Sequence, residues 1–348
     1  MPSRHDARFA ALALILAAAA IGTRAEADPP WLFVSVPNAL YTTPVAINGH
    51  NHIAGTYVDQ SSVAHGFVRT GNGTIESIDL PGMTGTGVTA INYRGDIVGT
   101  GVGDHFDNHG FLYTASGTYV QIDVPGTNRT VATAINESGV VAGNATTNAG
   151  ASVGFVRDTD GTFETFTVSS AQNIAVAAID QRGWILGDYS DATSEHGFLR
   201  TRRGHITTID VAGASATAAS SMNDKGEIVG SYMTNNGAVV YHGFLREPDG
   251  TISTLDVSGP GIAQAQQVLA GSINAKGEIT GWFIDTDGHT HGFVRDSKGR
   301  YVQMDCPGAK ATRPVMIGTT GKIIGTIDNS DGSSTAFRFN HWGWRRKS

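Results

Sequence analysis

The sequence is short of the features that usually stabilise or reveal an exported enzyme. It has a single cysteine, Cys306, so no internal disulfide can form and stability must come from packing and from the joining of sheets. Charged residues make up only 16% of the 348 residues, and the net charge of -7 disfavours non-specific binding to nucleic acid. Past the N-terminus no apolar run is long enough to span a bilayer, and no membrane span is expected. G-x-S-x-G, H-E-x-x-H and a Gly-rich phosphate loop are all missing. Serine hydrolases of the elbow type, zinc proteases and nucleotide-binding enzymes therefore lose their usual signatures.

At the N-terminus, Arg4 and Arg8 precede the apolar run Phe9 to Ile21, with small-residue exits at Thr23-Arg24-Ala25 or Ala25-Glu26-Ala27. Such an order of segments is that of a secretory signal, and the run is shorter than the roughly 20 residues that cross a membrane. Residues 1–27 are read as a signal peptide, which makes the mature chain secreted or periplasmic. Residues 342–348, with Arg345-Arg346-Lys347, form a basic tail.

Glycine, by contrast, is abundant at 45 residues, as expected where many backbone positions need positive φ. The reason is a repeat. Its turn marker falls at Asn48, Asn92, Asn136, Asp180, Asn223, Asn274 and Gly318, at spacings of 44, 44, 44, 43, 51 and 44. Three residues later stand Asn51, Gly95, Gly139, Gly183, Gly226, Gly277 and Gly321, the chemistry of a type I turn followed by a left-handed residue. The next strand carries a glycine in every unit (Gly55, Gly99, Gly143, Gly187, Gly230, Gly281, Gly325), and the strand after it a phenylalanine (Phe67, Phe111, Phe155, Phe198, Phe244, Phe293, Phe337). A bulky ring beside a residue that lets a neighbouring backbone approach is a core device.

Four short apolar runs per unit at this period predict an all-β, seven-bladed β-propeller with four-stranded blades. One domain over 31–341 suffices, with units near 46–89, 90–133, 134–177, 178–220, 221–271, 272–315 and 316–340 plus 31–45. The seventh unit stops after three strands. Asp79, Asp123 and Asp210 on fourth strands precede the next marker by 13 residues, and Ser35 stands 13 before Asn48. The segment around 31–37 is therefore expected to complete the last blade, three strands from one end and one from the other.

Five units pair a histidine before Gly-Phe with an aspartate 14 residues on: His65 and Asp79, His109 and Asp123, His196 and Asp210, His242 and Asp256, His291 and Asp305. A turn lies midway, which sets each pair across neighbouring strands. The other two units lose both members together, as Val153 with Thr167 and Thr335 with Ser35. Joint loss suits a structural pair whose members would otherwise be buried and unsatisfied.

Units reading AIN-x-x-G-x-I-x-G followed by HGF resemble the bacterial extracellular HAF-type repeat proteins. The likeness runs from Ala46 to about Phe339, with Gly for the family's Ala in six units. It implies an exported protein and carries over no catalytic residues.

Function must then lie in the loops. Tracing the strands puts the marker turns on one side and the loops before HGF on the other. Those loops hold Asp59, Asp104, Asp107, Asp188, Asp191, Glu195, Asp285, Asp287, Asp328 and Asp331 and no Lys or Arg. Arg129, Lys310 and Arg313 are the bases expected to share their face. Such a face should attract cations. Asp285-Thr-Asp287-Gly288-His289 could hold a divalent ion such as Ca²⁺, although Asp-x-Asp-Gly is also ordinary turn chemistry. Tyr57, Tyr189, Tyr232 and Trp282 stand at the strand ends leading into the same loops, where rings beside carboxylates would suit a sugar. The first expectation is a monomeric scaffold binding an extracellular ligand, carbohydrate or cationic. The alternative is a lyase or hydrolase acting at the mouth, with His105 or His289 as base and Asp107 or Asp287 beside it. The insertion 258–271, which makes the fifth spacing long, is read as a partial lid over the mouth.

Overall fold

A computed structural model describes residues 30–104, 107–235 and 237–340; the signal segment, His105 and the basic tail lie outside them. The described residues form 28 strands and no helix. Five antiparallel sheets of four consecutive strands span 41–78, 85–122, 127–166, 173–209 and 216–255. An eight-stranded sheet takes the rest: four strands over 265–304 and three over 311–340, with Trp31–Val34 added at its end. Its two halves meet only at one parallel pair, Thr290 with Ala311.

The local reasons are those in the sequence. Asn51 sits at φ 63° and Gly95 at φ 92°, so each marker turn ends in a left-handed residue and the chain folds back. The marker Asn does more than turn. Asn48 Oδ1 accepts from the N–H groups of His50 and His52, while its Nδ2 donates to the carbonyl of Asn92 in the next unit at 3.1 Å. Asn92 does the same to Asn136, Asn136 to Asp180, Asn223 to Asn274 and Asn274 to Gly318. The residue that reads as a turn former is thus also a latch between neighbouring sheets. Asp180 has no amide to donate and breaks the series.

All seven motif phenylalanines are fully buried. A methyl group on Gly55 would lie 2.2 Å from the Thr43 carbonyl and 2.7 Å from the Phe67 ring, which is why that strand position admits no side chain. Phe67 packs with Ile47 and Ile53 of its own unit and with Val34, Val36, Ile324 and Ala336 of the two chain ends. Trp31 pairs with Phe339, Leu32 with Arg338, Phe33 with Phe337 and Val34 with Ala336. The first strands of all seven units together line one central cavity of about 300 Å³, with small and apolar side chains such as Val45, Ala90, Ala134, Ala178, Ser221, Ser272 and Val315.

Candidate ligand-binding face

The histidine pairs form in four units. Nδ1 of His65 lies 2.6 Å from Asp79, that of His109 2.9 Å from Asp123, that of His196 2.8 Å from Asp210 and that of His291 3.0 Å from Asp305. These aspartates are half exposed, not buried, so an unsatisfied interior group does not account for their joint loss elsewhere. The fuller reason is a third member. Nε2 of each imidazole faces a carboxylate from the loop above: Asp59 at 3.4 Å, Asp107 at 3.2 Å, Asp191 at 3.5 Å and Asp285 at 3.1 Å. Each histidine is held between two acids, and a unit without histidine keeps neither.

Four acids expected to be free for a ligand are therefore engaged within their own blade. Three of them use the second oxygen too: Asp59 Oδ1 accepts from the N–H of Ser61 and Val63, Asp191 Oδ1 from that of Thr193 and Ser194, and Asp285 Oδ1 from that of Asp287 and His289. The tyrosines are engaged as well. Tyr57, Tyr189 and Tyr232 stack on His65, His196 and His242 at 4.9 to 5.0 Å, and their hydroxyls bond to Ser77, Thr208 and Thr254. Trp282 does not belong to this set. Phe283 fills the stacking position over His291, and Trp282 lies one residue earlier, 5.8 Å from the guanidinium of Arg313, which pairs with Asp328.

The loop member could have been found by counting forward from the strand glycine. Asp59, Thr147, Asp191, Thr234, Asp285 and Asn329 all stand four residues after it, whereas loop length varies when counted back from HGF. In the second unit Gly103 takes that place. A side chain there would meet Asp107 Oδ1 at 2.2 Å, so the Asp107 carboxylate occupies the space that the other units fill from the fourth position.

The remaining candidates scatter. Asp188 is on a strand and largely buried; its Oδ1 accepts from the Ala219 N–H of the next unit at 2.6 Å. Burial, against that hydrogen bond and with Glu195 nearby, raises its pKa from 3.8 to about 7. Asp331 closes its own turn on Ser333, and Asp104 is exposed. His289 approaches Asp285, not Asp287, at 3.4 Å. Asp107 faces His109 at 3.2 Å, and its expected catalytic partner His105 lies outside the described residues.

The fifth unit departs from this pattern. His242 Nε2 bonds to the Thr234 hydroxyl at 3.1 Å, and no hydrogen bond joins His242 to Asp256, which corrects the fifth expected pair. The second and third strands, Ile228–Asn235 and Val239–Arg246, run to eight residues each and carry Val239 and Tyr241 with 48% and 40% exposure. The inserted segment does not cover the central mouth. Its Ala263 N–H bonds to Gln303 on the outermost strand of the next unit at 2.8 Å, and its Gln264 carbonyl accepts from Thr286. Between the segment and the fifth sheet lies a cavity of about 480 Å³, lined by Tyr241, His242, Asp256, Ile262, Gln264, Gln266 and neighbouring apolar residues.

The acid–histidine–acid groups make stability depend on pH. Burial works against charge on His65 and His291, but the flanking aspartates outweigh it. His109 gains first from its bond to Asp123, and all three have pKa values above 6.5. A raised imidazole pKa gives stability that is complete below the unfolded value and lost as pH rises through the folded one. Melting temperature should accordingly fall as pH climbs past 6.5. Replacing His65→Val with Asp79→Thr, the pair the third unit uses, should cost less than about 1 kcal/mol near pH 6 and reduce that fall in a pH series of melts. On the acid side, Asp191 is held at about 2 by the Thr193 hydroxyl and the N–H groups of Thr193 and Ser194. Its contribution is lost as pH drops from 3.8 toward that value.

The strand arrangement is that of a β-propeller. No protein-family model and no curated protein matches the sequence, but solved structures share the fold. Virginiamycin B lyase from Staphylococcus aureus superposes with a TM-score of 0.57 at 13% identity, over 89% of this chain and 99% of the lyase. The β-propeller domain of the trilobed protease from Pyrococcus furiosus, described as having an open velcro topology, gives 0.58 at 8% identity over 86% and 95%. Puromycin hydrolase gives 0.53 at 12% identity over 89% and 55%. At these identities the likeness is one of fold alone.

Proposed function

We propose that the chain is an exported seven-bladed propeller, closed by its N-terminal strand, that binds an extracellular ligand through its second-to-third-strand loop face. The reading of seven blades is supported by the central cavity, to which every unit contributes its first strand. Closure is supported by the pairing of Trp31–Val34 with Ser334–Asn340, in contrast to the open topology named for the Pyrococcus domain. Binding, not turnover, is carried by one observation: the imidazoles of His65, His109, His196 and His291 and the carboxylates beside them are engaged within four separate blades and do not converge on one point. Export rests on the N-terminal segment and on the resemblance to HAF-type repeats.

The test is a thermal-shift screen of the mature chain against uncharged glycans, amines and divalent ions, with each stabilising ligand recovered and analysed. Ligands that raise the melting point and return unchanged support a scaffold. Ligands that return cleaved would shift the reading to a lyase or hydrolase, the activities named for two of the structural neighbours.

A second reading concerns a cation. Asp285, Asp287 and His289 offer ligand atoms within 4.8 Å of one another, and two carboxylates with an imidazole suit an ion such as Zn²⁺ better than Ca²⁺, which takes six to eight oxygens. Millimolar Zn²⁺ should raise the melting point by a few degrees, an effect absent in Asp287→Ala. An equal shift in both proteins would remove this site.

A further inference from the structure

We infer that the seam between the third and fourth sheets, at the marker-turn end, holds a binding site for a small carboxylate that carries hydroxyl groups, such as a uronate, with Arg202 receiving the carboxylate. The site lies on the side opposite the second-to-third-strand loops and does not rest on the reading of that face. A cavity of about 380 Å³ opens there, within the range of about 300 to 1,000 Å³ usual for small-molecule sites. Ser138, Val140 and Glu164 of the third unit stand on one side of it, and Gln181, Arg200 and Arg202 of the fourth on the other.

The strand register places these groups in one space. Phe198 packs with Ala142 and Phe166 of the third unit, and Arg200, two residues further along the same strand, faces the same way. Its guanidinium lies 4.8 Å from the Phe166 ring and pairs with Glu164. Val156 joins that apolar cluster and also lines the cavity. Arg202 follows in the hairpin turn, with its Cβ, Cγ and Cδ against Gly183 of the marker turn.

The cavity exists because one seam departs from the repeat. At four other seams a side chain of the earlier unit reaches the marker-turn glycine of the later one: His52 at Gly95, Arg94 at Gly139, Arg182 at Gly226 and Glu227 at Gly277. The third unit has only Ser138 and Val140 at the equivalent positions. Nothing from it crosses to Gly183, whose three nearest atoms all belong to Arg202.

What the gap leaves exposed sets the ligand chemistry. Arg202 makes no hydrogen bond or ion pair among the described residues. Arg200 is 3% exposed, and its Nε has no acceptor. A buried guanidinium satisfied on one side only favours an anion brought beside it, and the planar fork of a free arginine matches a carboxylate. Arg182, the third guanidinium of the lining, is already bound to Asp180. Asp158 and Glu164 stand in the same lining, so a dianion such as phosphate meets like charge. Those acids accept from hydroxyls instead, while the Ser138 hydroxyl can donate to them. So can the amide of Gln181, whose Oε1 already accepts from the Glu137 N–H at 3.1 Å.

The experiment is calorimetric titration of the mature chain with sodium glucuronate and sodium galacturonate, run beside glucose, glycine and sodium phosphate. Saturable binding of at least one uronate is expected, weakened about tenfold or more in Arg202→Ala. Ser138→Arg supplies the side chain that Arg94 and Arg182 supply elsewhere and should abolish binding. Because those units fold with arginine at this place, that variant should melt with the parent, which separates loss of the site from loss of the fold. Arg203→Ala removes the same charge one residue away, outside the cavity lining, and should leave binding unchanged. No binding of either uronate overturns the inference. Glucose, glycine or phosphate binding as tightly as the uronates overturns the assignment of the ligand. Equal losses in Arg202→Ala and Arg203→Ala would show attraction to the basic turns at large and overturn the site.

Discussion

Deleting residues 28–34 from the mature chain is expected to cost more than about 5 kcal/mol, a large share of the 5 to 15 kcal/mol that holds a typical domain. The strand it removes is short, but its side chains are placed where loss is greatest. Val34 is 1% exposed and packs in the cluster that contains Phe67, Ile324 and Ala336. Trp31 lies edge-on to Phe337 at 5.0 Å and tilted against Phe339 at 4.6 Å. Removing the strand Trp31–Val34 also bares the strand Ser334–Asn340, whose unpaired backbone would then template association with other chains. Chemical denaturation should show the lost stability, and size-exclusion chromatography should show oligomers of the truncated protein. Trp31→Ala alone should cost about 2 to 4 kcal/mol. Phe33→Ala should cost little, since Phe33 is 54% exposed. A truncated chain that melts with the full one would mean that the N-terminal strand decorates the last sheet without holding it.

The placement of that strand was legible because it follows from counting. A fixed interval between fourth-strand Asp and marker Asn carries across the chain ends, and Ser35 keeps it. Turns were legible for a similar reason, since Asn51 and the six equivalent glycines are dictated by backbone geometry and by nothing distant. What the sequence concealed is contact between units. The marker Asn is sufficient as a turn former, so its amide's bond to the next sheet leaves no separate trace. Loop acids looked free because a surplus of one charge in a loop reads as solvent-facing, and the variable distance to HGF hid their fixed distance from the strand glycine. The fifth unit shows the limit most clearly. His242 and Asp256 keep both residue types and the spacing of 14, yet no hydrogen bond joins them, and Thr234 stands where the loop acid does in the paired units, 3.1 Å from His242 Nε2.

Asp188→Asn should stabilise the protein at alkaline pH by an amount on the order of 2 to 4 kcal/mol and change little near pH 4. The position after the strand glycine supplies an acceptor to the first strand of the next unit. Thr56 bonds to the Val88 N–H, Asn144 to that of Val176 at 2.8 Å, and Ser231 to that of Ala270. These partners are neutral, and only Asp188 brings a titratable group to the task among them. Its carboxyl titrates near 7 in the folded chain and at 3.8 when unperturbed. Between those values the folded state keeps a proton that the unfolded state has released, so stability falls as pH rises across that window and stays reduced above it. Asparagine keeps the acceptor for Ala219, as Asn144 does for Val176, and removes the charge that burial and Glu195 oppose. Melts of parent and variant taken from about pH 4 to pH 8 should diverge through the window and run parallel beyond it. Curves that stay together throughout would show that Asp188 ionises at its ordinary value, with water reaching the seam between the fourth and fifth sheets.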